Sequence, residues 1–124
     1  MLWQGRGLRK PTGGKYHKFR DKRKRELGRI DVLPTIGEEE ERKVIRVMGG
    51  NRKVKAVKLK FVNVKVGKKV KRVEIKKVID NPANRHYKRM GILTKGAVVE
   101  TELGKVKITN RPSQEGFANG VLIK

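Results

Sequence analysis

Val57-Lys58-Leu59-Lys60-Phe61-Val62-Asn63-Val64-Lys65-Val66-Gly67 carries the strongest structural signal in the chain. Val57, Leu59 and Phe61 alternate with Lys58 and Lys60, the two-residue period of a strand with one apolar and one solvated face. Val62, Val64 and Val66 keep that period one step out of phase. One straight strand cannot hold both sets on the same face, so a bulge or sharp bend is predicted at Phe61–Val62.

Outward from this stretch the same grammar repeats. Val44, Ile45, Val47 and Met48 open a β-rich region. Val73 and Ile75 alternate with Arg72, Glu74 and Lys76; Val98 and Val99 precede Glu100-Thr101-Glu102; Val106 and Ile108 alternate with Lys105 and Lys107; Val121, Leu122 and Ile123 close the chain. Turn residues punctuate these runs at Gly49-Gly50-Asn51, Gly67-Lys68-Lys69, Asn81-Pro82, Gly91, Gly96, Gly104, Arg111-Pro112 and Glu115-Gly116. Short strands at about 8–12-residue spacing point to a mostly β protein, a small antiparallel β-barrel spanning residues 42–124. Closure removes the sheet edges that an open sheet would expose. No internal repeat is visible.

Upstream the composition changes. Residues 1–30 hold 11 cations and 2 acids, a net +9, against +13 for the much longer remainder. The segment is poor in β-branched residues and broken by Gly5, Gly7, Pro11, Gly13, Gly14 and Gly28. It cannot bury enough apolar surface to offset its ordering entropy. Residues 1–41 therefore read as a basic, largely irregular N-terminal extension and connector, ordered against a partner rather than around a core. Asp21 to Leu27 is predicted to form about two helical turns that Gly28 stops. The acidic run Glu38 to Glu41 reads as a solvated loop or helix start, with an intramolecular counter-charge for the basic tail as the alternative.

The whole chain has 124 residues, 34 Lys plus Arg against 12 Asp plus Glu, and a net charge of +22. A small soluble domain needs a net charge of only about 2–8, so this surplus points to a polyanion, and nucleic acid is the first choice. No apolar run approaches the 18 or so residues of a membrane helix, and Met1 to Arg6 lacks the apolar stretch of a secretory signal. The absence of Cys excludes disulfides, Fe–S clusters and Cys-based zinc fingers. No long amphipathic helix favours a membrane surface.

Enzyme chemistry finds little footing. His17 and His86 are the only histidines, too few for a structural zinc site, so neither a metal nor another cofactor is expected. Ser113 lacks a nucleophile elbow, and Arg111 to Gly116 reads as a turn. Thr12-Gly13-Gly14-Lys15 fails as a nucleotide-binding loop, because no strand precedes it and Tyr16 follows the lysine. Glu100 and Glu102 read as solvated acids near Lys105 and Lys107. No small-molecule substrate is expected.

Nucleic-acid candidates are plentiful. In the extension they are Arg6, Arg9, Lys10, Lys15, Lys18, Arg20, Lys22, Arg23, Lys24, Arg25 and Arg29, as phosphate partners, with Gly13 and Gly14 allowing close backbone approach. In the body, Asn51, Arg52 and Lys53 follow a Gly-Gly turn, where amide and guanidinium groups meet phosphate or 2′-OH groups. Trp3, Tyr16, Phe19 and Tyr87 lie in basic surroundings and are stacking candidates, unlike Phe61 and Phe117. His86 with Arg85 and Tyr87 suits a loop touching sugar or base, or simply a polar loop.

Arg9-Lys10-Pro11-Thr12-Gly13-Gly14 and Asp21-Lys22-Arg23-Lys24-Arg25-Glu26-Leu27-Gly28-Arg29 resemble the eight-e family of small-subunit ribosomal proteins. Arg46 to Lys53, Asn81-Pro82-Ala83-Asn84, Ile92 to Gly104 and Thr109 to Gly116 continue the resemblance in order along nearly the whole chain. The short length and the direct run from Asn81-Pro82 to the C-terminus resemble archaeal members. The resemblance implies a β-barrel seated on small-subunit ribosomal RNA, beside neighbouring small-subunit proteins in the cytoplasmic ribosome. It also implies a basic extension threaded between RNA helices, and no catalysis. A free-standing β-barrel RNA chaperone or regulatory RNA-binding protein is the alternative.

Overall fold

A computed structural model of the chain describes residues 2–3, 6–21 and 23–123, giving the backbone alone at Leu2, Trp3 and Leu27. It divides into a unit of residues 1–31 and a unit of residues 32–124. In the first, β1 (Leu2–Trp3) pairs antiparallel with β2 (Leu27–Gly28). Between them the chain doubles back at Pro11-Thr12: the Lys10 amide donates to the Gly14 carbonyl (2.8 Å), Gly13 to Lys10 (3.0 Å) and Tyr16 to Leu8 (3.0 Å). The helix predicted over Asp21–Leu27 shrinks to one 3₁₀ turn at Lys24–Glu26, from which the chain passes straight into β2. Successive cations repel one another on a helix surface. Glu26 is instead drawn back to Arg20 and to the Arg23 amide.

The second unit begins with β3 (Thr35–Ile36), β4 (Glu41–Arg46) and β5 (Arg52–Leu59). β3 lies parallel to β5, and β4 and β5 form an antiparallel hairpin. The hairpin turns through Met48–Gly50, with the Val47 amide donating to the Asn51 carbonyl at 2.7 Å. Gly49 (φ 72°) and Gly50 (φ 78°) are both left-handed, which two successive side-chain-bearing residues would resist.

The bend falls at Lys60, one residue before the predicted phase slip. There β5 ends and β6 (Phe61–Val66) begins. Ala56 and Leu59 are buried before the corner and Val62 and Val64 after it, so the two-residue alternation breaks once within β5, opposite the register shift at Glu41/Arg42, and again at the corner. Phe61 is left half-buried beneath the Arg72 guanidinium, 4.3 Å from its ring centre. The corner carries the chain from the three-stranded sheet into a closed barrel.

The barrel comprises β6, β7 (Lys69–Asp80), β8 (Val98–Thr101), β9 (Gly104–Ile108) and β10 (Asn119–Leu122), in that order around the circle. Successive neighbours run antiparallel, as expected, but the closing pair, β10 with β6, is parallel. An up-and-down circuit of five strands leaves its first and last strands pointing the same way, so an odd strand count imposes that exception. β7 is shared: residues 69–74 face β6 and residues 75–80 face β8, with irregular register at Ile75/Lys77 and Val78/Asp80. Those bulges bend the long strand around the barrel and move burial from Val73 and Ile75 to Val78. Val62, Val64, Val99, Val106 and Ile108 fill the interior. Each such side chain contributes about 1.5–3 kcal/mol on burial.

Two helical turns occupy segments read as loops. α1 (Arg85–Arg89) is capped by Asn84, whose Oδ1 accepts from the His86 amide at 2.9 Å. α2 (Pro112–Glu115) starts on proline and stops at Gly116, whose amide donates to the Pro112 carbonyl. The loop between β7 and β8 is organised by Asn81, buried to 3% exposure. Its Nδ2 donates to the Ile92 carbonyl (3.0 Å), and its Oδ1 accepts from the Ala83 amide (3.1 Å) and the Thr94 hydroxyl (2.8 Å).

Candidate nucleic-acid interface

In the extension, the reversal at Pro11-Thr12 gathers one cationic cluster. Arg6 stacks its guanidinium 3.8 Å from the centre of the Tyr16 ring, and Lys10 Nζ lies 5.6 Å from it. Arg9 Nη1 donates to the Gly13 carbonyl (3.0 Å), and the backbones of Arg9 and Lys15 pair antiparallel in an isolated β-bridge. Gly13 and Gly14 are exposed, and a Cβ at Gly13 would meet nothing within 4 Å. Lys15 and Lys18 are exposed beside this turn. Tyr16, a stacking candidate, is thus already covered by a cation, whereas Phe19 is 84% exposed.

A second cluster surrounds the 3₁₀ turn, where Arg23, Lys24 and Arg25 are exposed, as is Arg29 beyond it. Arg20 differs. Its two terminal nitrogens grip both oxygens of Glu26, Nη1 to Oε2 at 2.9 Å with Nη2 on Oε1, and the Arg23 amide adds a longer bond of 3.4 Å. The Arg20 hydrogen bonds, more than the Arg23 amide, hold the Glu26 carboxyl down at about 2, from an ordinary 4.5. A depressed carboxyl pKa stabilises above the ordinary value and ceases to as pH falls through the native one. The clamp is therefore complete above pH 4.5 and is lost on descent through about pH 2. A carboxyl-carbon titration should put the Glu26 midpoint near 2 in the full chain and move it up toward its ordinary value in Arg20→Gln. An ordinary midpoint in the unaltered chain would contradict the clamp. Lys22 and the Trp3 side chain lie outside the described residues.

In the barrel unit, the turn between β4 and β5 presents Asn51, Arg52 and Lys53, all exposed. Arg52 faces Arg46 across the hairpin, and Lys53 Nζ donates to Gln114 Oε1 at 3.2 Å. Val54 beneath them packs close to Gly116, where an added Cβ would approach Val54 Cγ1 to 2.8 Å. Arg42 Nε donates to the Gly116 carbonyl (2.8 Å), so the hairpin is fixed to α2 from both strands. The turn stands on a rigid base, as a positioning contact requires.

Four of the nine carboxylates of the barrel unit join described ion pairs. Glu40 bridges Arg42 (2.6 Å) and Arg72 (2.9 Å), and Glu41 reaches Lys58 at 3.4 Å. The acidic run thus draws cations of the barrel unit to its second half, while Glu38 and Glu39 stay exposed. Glu74 pairs with Lys60 (3.5 Å) and Glu100 with Lys77 (3.0 Å). Exposed pairs of this kind stabilise little, about 0–1 kcal/mol. Their effect is to leave the cations of other faces unneutralised. Among the described ion pairs none involves Lys65, Lys68, Lys69 or Lys71 along the β6–β7 hairpin.

The remaining chemistry is sparse. His17 is exposed in the extension, and His86 is exposed on α1 rather than on a loop. Among the described residues no group of three or more His, Cys, Asp or Glu could hold a metal, and no helix is long and apolar enough to cross a membrane. Sequence reasoning did not single out Asn63 with Asn119, whose side chains bond at 3.1 Å, and read Asn81 as a turn residue rather than as a buried organiser of its loop. A visible signal was Asn63 itself, an amide set among valines in a strand.

Comparison with known proteins bears on the same surfaces. The chain is 48% identical to small ribosomal subunit protein eS8 of Methanocorpusculum labreanum over 126 residues, covering all of both chains. The proteins of that name from Staphylothermus marinus and Nanoarchaeum equitans are 47% and 53% identical, over 100% and 98% of this chain and 99% and 97% of theirs. A family model described as ribosomal protein S8e matches residues 3–123, taking in the cationic turns, the Lys60 corner and every strand of the barrel. On that full-length match, the chain belongs to the S8e family of ribosomal proteins.

Proposed function

We propose that this chain is a structural constituent of the small ribosomal subunit that binds and stabilises folded ribosomal RNA through phosphate and shape contacts, without catalysis. One observation carries the reading: exposed cations crowd residues 1–30, whose only acids are Asp21 and Glu26, and Glu26 is taken by Arg20. Residues 1–41 supply phosphate contacts and order on RNA, while residues 42–124 act as the anchor. Arg6, Arg9, Lys10, Lys15, Lys18, Lys22, Arg23, Lys24, Arg25 and Arg29 neutralise phosphates, and Gly13 and Gly14 let the backbone approach. Asn51, Arg52 and Lys53 form the barrel's own contact. Arg20 serves the interface by holding the 3₁₀ turn that displays its neighbours. Neighbouring small-subunit proteins complete the surroundings, in the cytoplasmic ribosome.

Each neutralised phosphate releases counterions, so affinity falls steeply with salt. The chain should co-sediment with small ribosomal subunits and stay attached at moderate salt. In competition it should prefer one folded ribosomal RNA junction over unrelated single strands. Equal affinity for many single strands would overturn this reading in favour of a free-standing RNA chaperone.

A further inference from the structure

The outer face of the barrel carries an unassigned groove where its parallel seam closes. Val121 of β10 lies between Lys107 of β9 and Lys65 of β6, and Lys65 in turn faces Val70 of β7. Two residues along the strands, Asn119 faces Asn63. Inward-facing residues alternate with these, Gly120 and Val64 among them. The groove measures about 260 Å³ and its lining includes Asn63, Lys65, Val70, Thr109, Asn119 and Val121. That is below the roughly 300–1,000 Å³ of drug-sized pockets, so it suits one ring system rather than an extended cofactor.

Its chemistry is specific in kind. Asn63 Nδ2 donates to Asn119 Oδ1 (3.1 Å), and no described hydrogen bond uses Asn63 Oδ1 or Asn119 Nδ2, so the pair keeps an acceptor and a donor group. Swapping the oxygen and nitrogen assignment of both amides preserves one acceptor next to one donor. An adjacent donor and acceptor is the complement of a nucleobase edge. The walls are apolar, with Val70 67% and Val121 39% exposed. Lys65 and Lys107 are exposed, and neither joins a described ion pair. A bare phosphate would leave the valines and the amide pair unused. A basic protein segment would be repelled by the lysines.

We propose that this groove is a single-nucleotide site, taking one unstacked base of an RNA strand. The ring lies against Val70 and Val121, its edge bonds the amide pair, and the adjoining phosphates meet Lys65 and Lys107. Bases splayed from the stack are the ones proteins read on their edges. The proposal rests on RNA being the partner, and it adds a contact that discriminates bases to an interface otherwise built on phosphates.

The test uses the full chain and a small-subunit ribosomal RNA transcript. Asn63→Leu with Asn119→Leu should lower affinity about tenfold, the scale of one lost base contact, with an unchanged salt slope. Lys65→Gln should instead reduce the slope by about 0.7–0.9. If the unaltered chain binds the transcript and the double variant binds equally well, the groove is not a base site. If the unaltered chain does not bind, the RNA reading itself has failed. Should the double variant lose its β circular dichroism, photo-crosslinking of the unaltered chain to 4-thiouridine-substituted transcript decides. Crosslinks are expected within residues 61–72 or 117–123. Crosslinks confined to other peptides would overturn the proposal.

Discussion

Gly120→Ala should destabilise the barrel by about 1–2 kcal/mol, a fall in Tm of roughly 5–15 °C for a body of this size. The methyl group would sit 2.3 Å from Val106 Cγ1 and 3.0 Å from the Lys107 carbonyl oxygen. Val106 is fully buried, and a β-branched side chain has few alternative rotamers. Backbone movement is equally constrained, because Gly120 is paired with Ile108 on one side and Val64 on the other. Overpacking of this kind costs about 1–3 kcal/mol, against which alanine regains about 0.4–1 kcal/mol by restricting the unfolded chain. Val106→Ala removes the obstructing methyl groups. The two substitutions together should therefore cost less than the sum of each alone, by at least about 0.5 kcal/mol. Strict additivity in thermal unfolding would show that the seam relaxes around the extra methyl without involving Val106.

Deleting residues 1–30 should leave the β circular dichroism intact while removing most of the salt dependence of RNA binding. All the buried core side chains lie between Ala56 and Ala118, so the barrel loses none of them. If six cations of the extension engage phosphates, affinity of the full chain falls about a thousandfold or more between 50 and 200 mM salt. Arg23→Glu with Arg25→Glu is the milder form of the experiment. Both side chains are exposed, and the slope should drop by about 1.4–1.8, one increment per lost contact. Loss of β signal in the truncation would refute the division between extension and body. An unchanged slope in the double reversal would take these cations out of the interface.

Much of the barrel was legible because its strands obey a strict alternation. Val73 and Ile75, Val106 and Ile108, and Val62 and Val64 are buried as their spacing demands. The corner was visible as a parity change, but its position was not, since Phe61 reads as apolar while Arg72 covers it from outside. The parallel closure was hidden because it follows from the number of strands in the circuit, which no local pattern encodes. Val44 and Met48, taken as the start of the β region, are 60% and 93% exposed: α2 reaches Val54, the partner of Val44 across the hairpin, and leaves Val44 itself uncovered. Phe117, grouped by its setting with Phe61, is 42% exposed. At the candidate site, charge density marked the extension, yet it could not separate Arg20 from its neighbours. That distinction depends on Glu26 folding back across six residues, and on a turn too tight for the two helical turns expected there.

The odd strand count of the barrel also fixes its two mouths. Because β6 and β10 run side by side in one direction, Phe61 enters at one opening and Leu122 leaves at the other, separated by about 17 Å of strand. A hairpin cannot join them. A circular permutant linking the end of β10 to the start of β6 would need a crossover of about a dozen residues, and a label fused behind β10 would stand at the far mouth from the Lys60 corner.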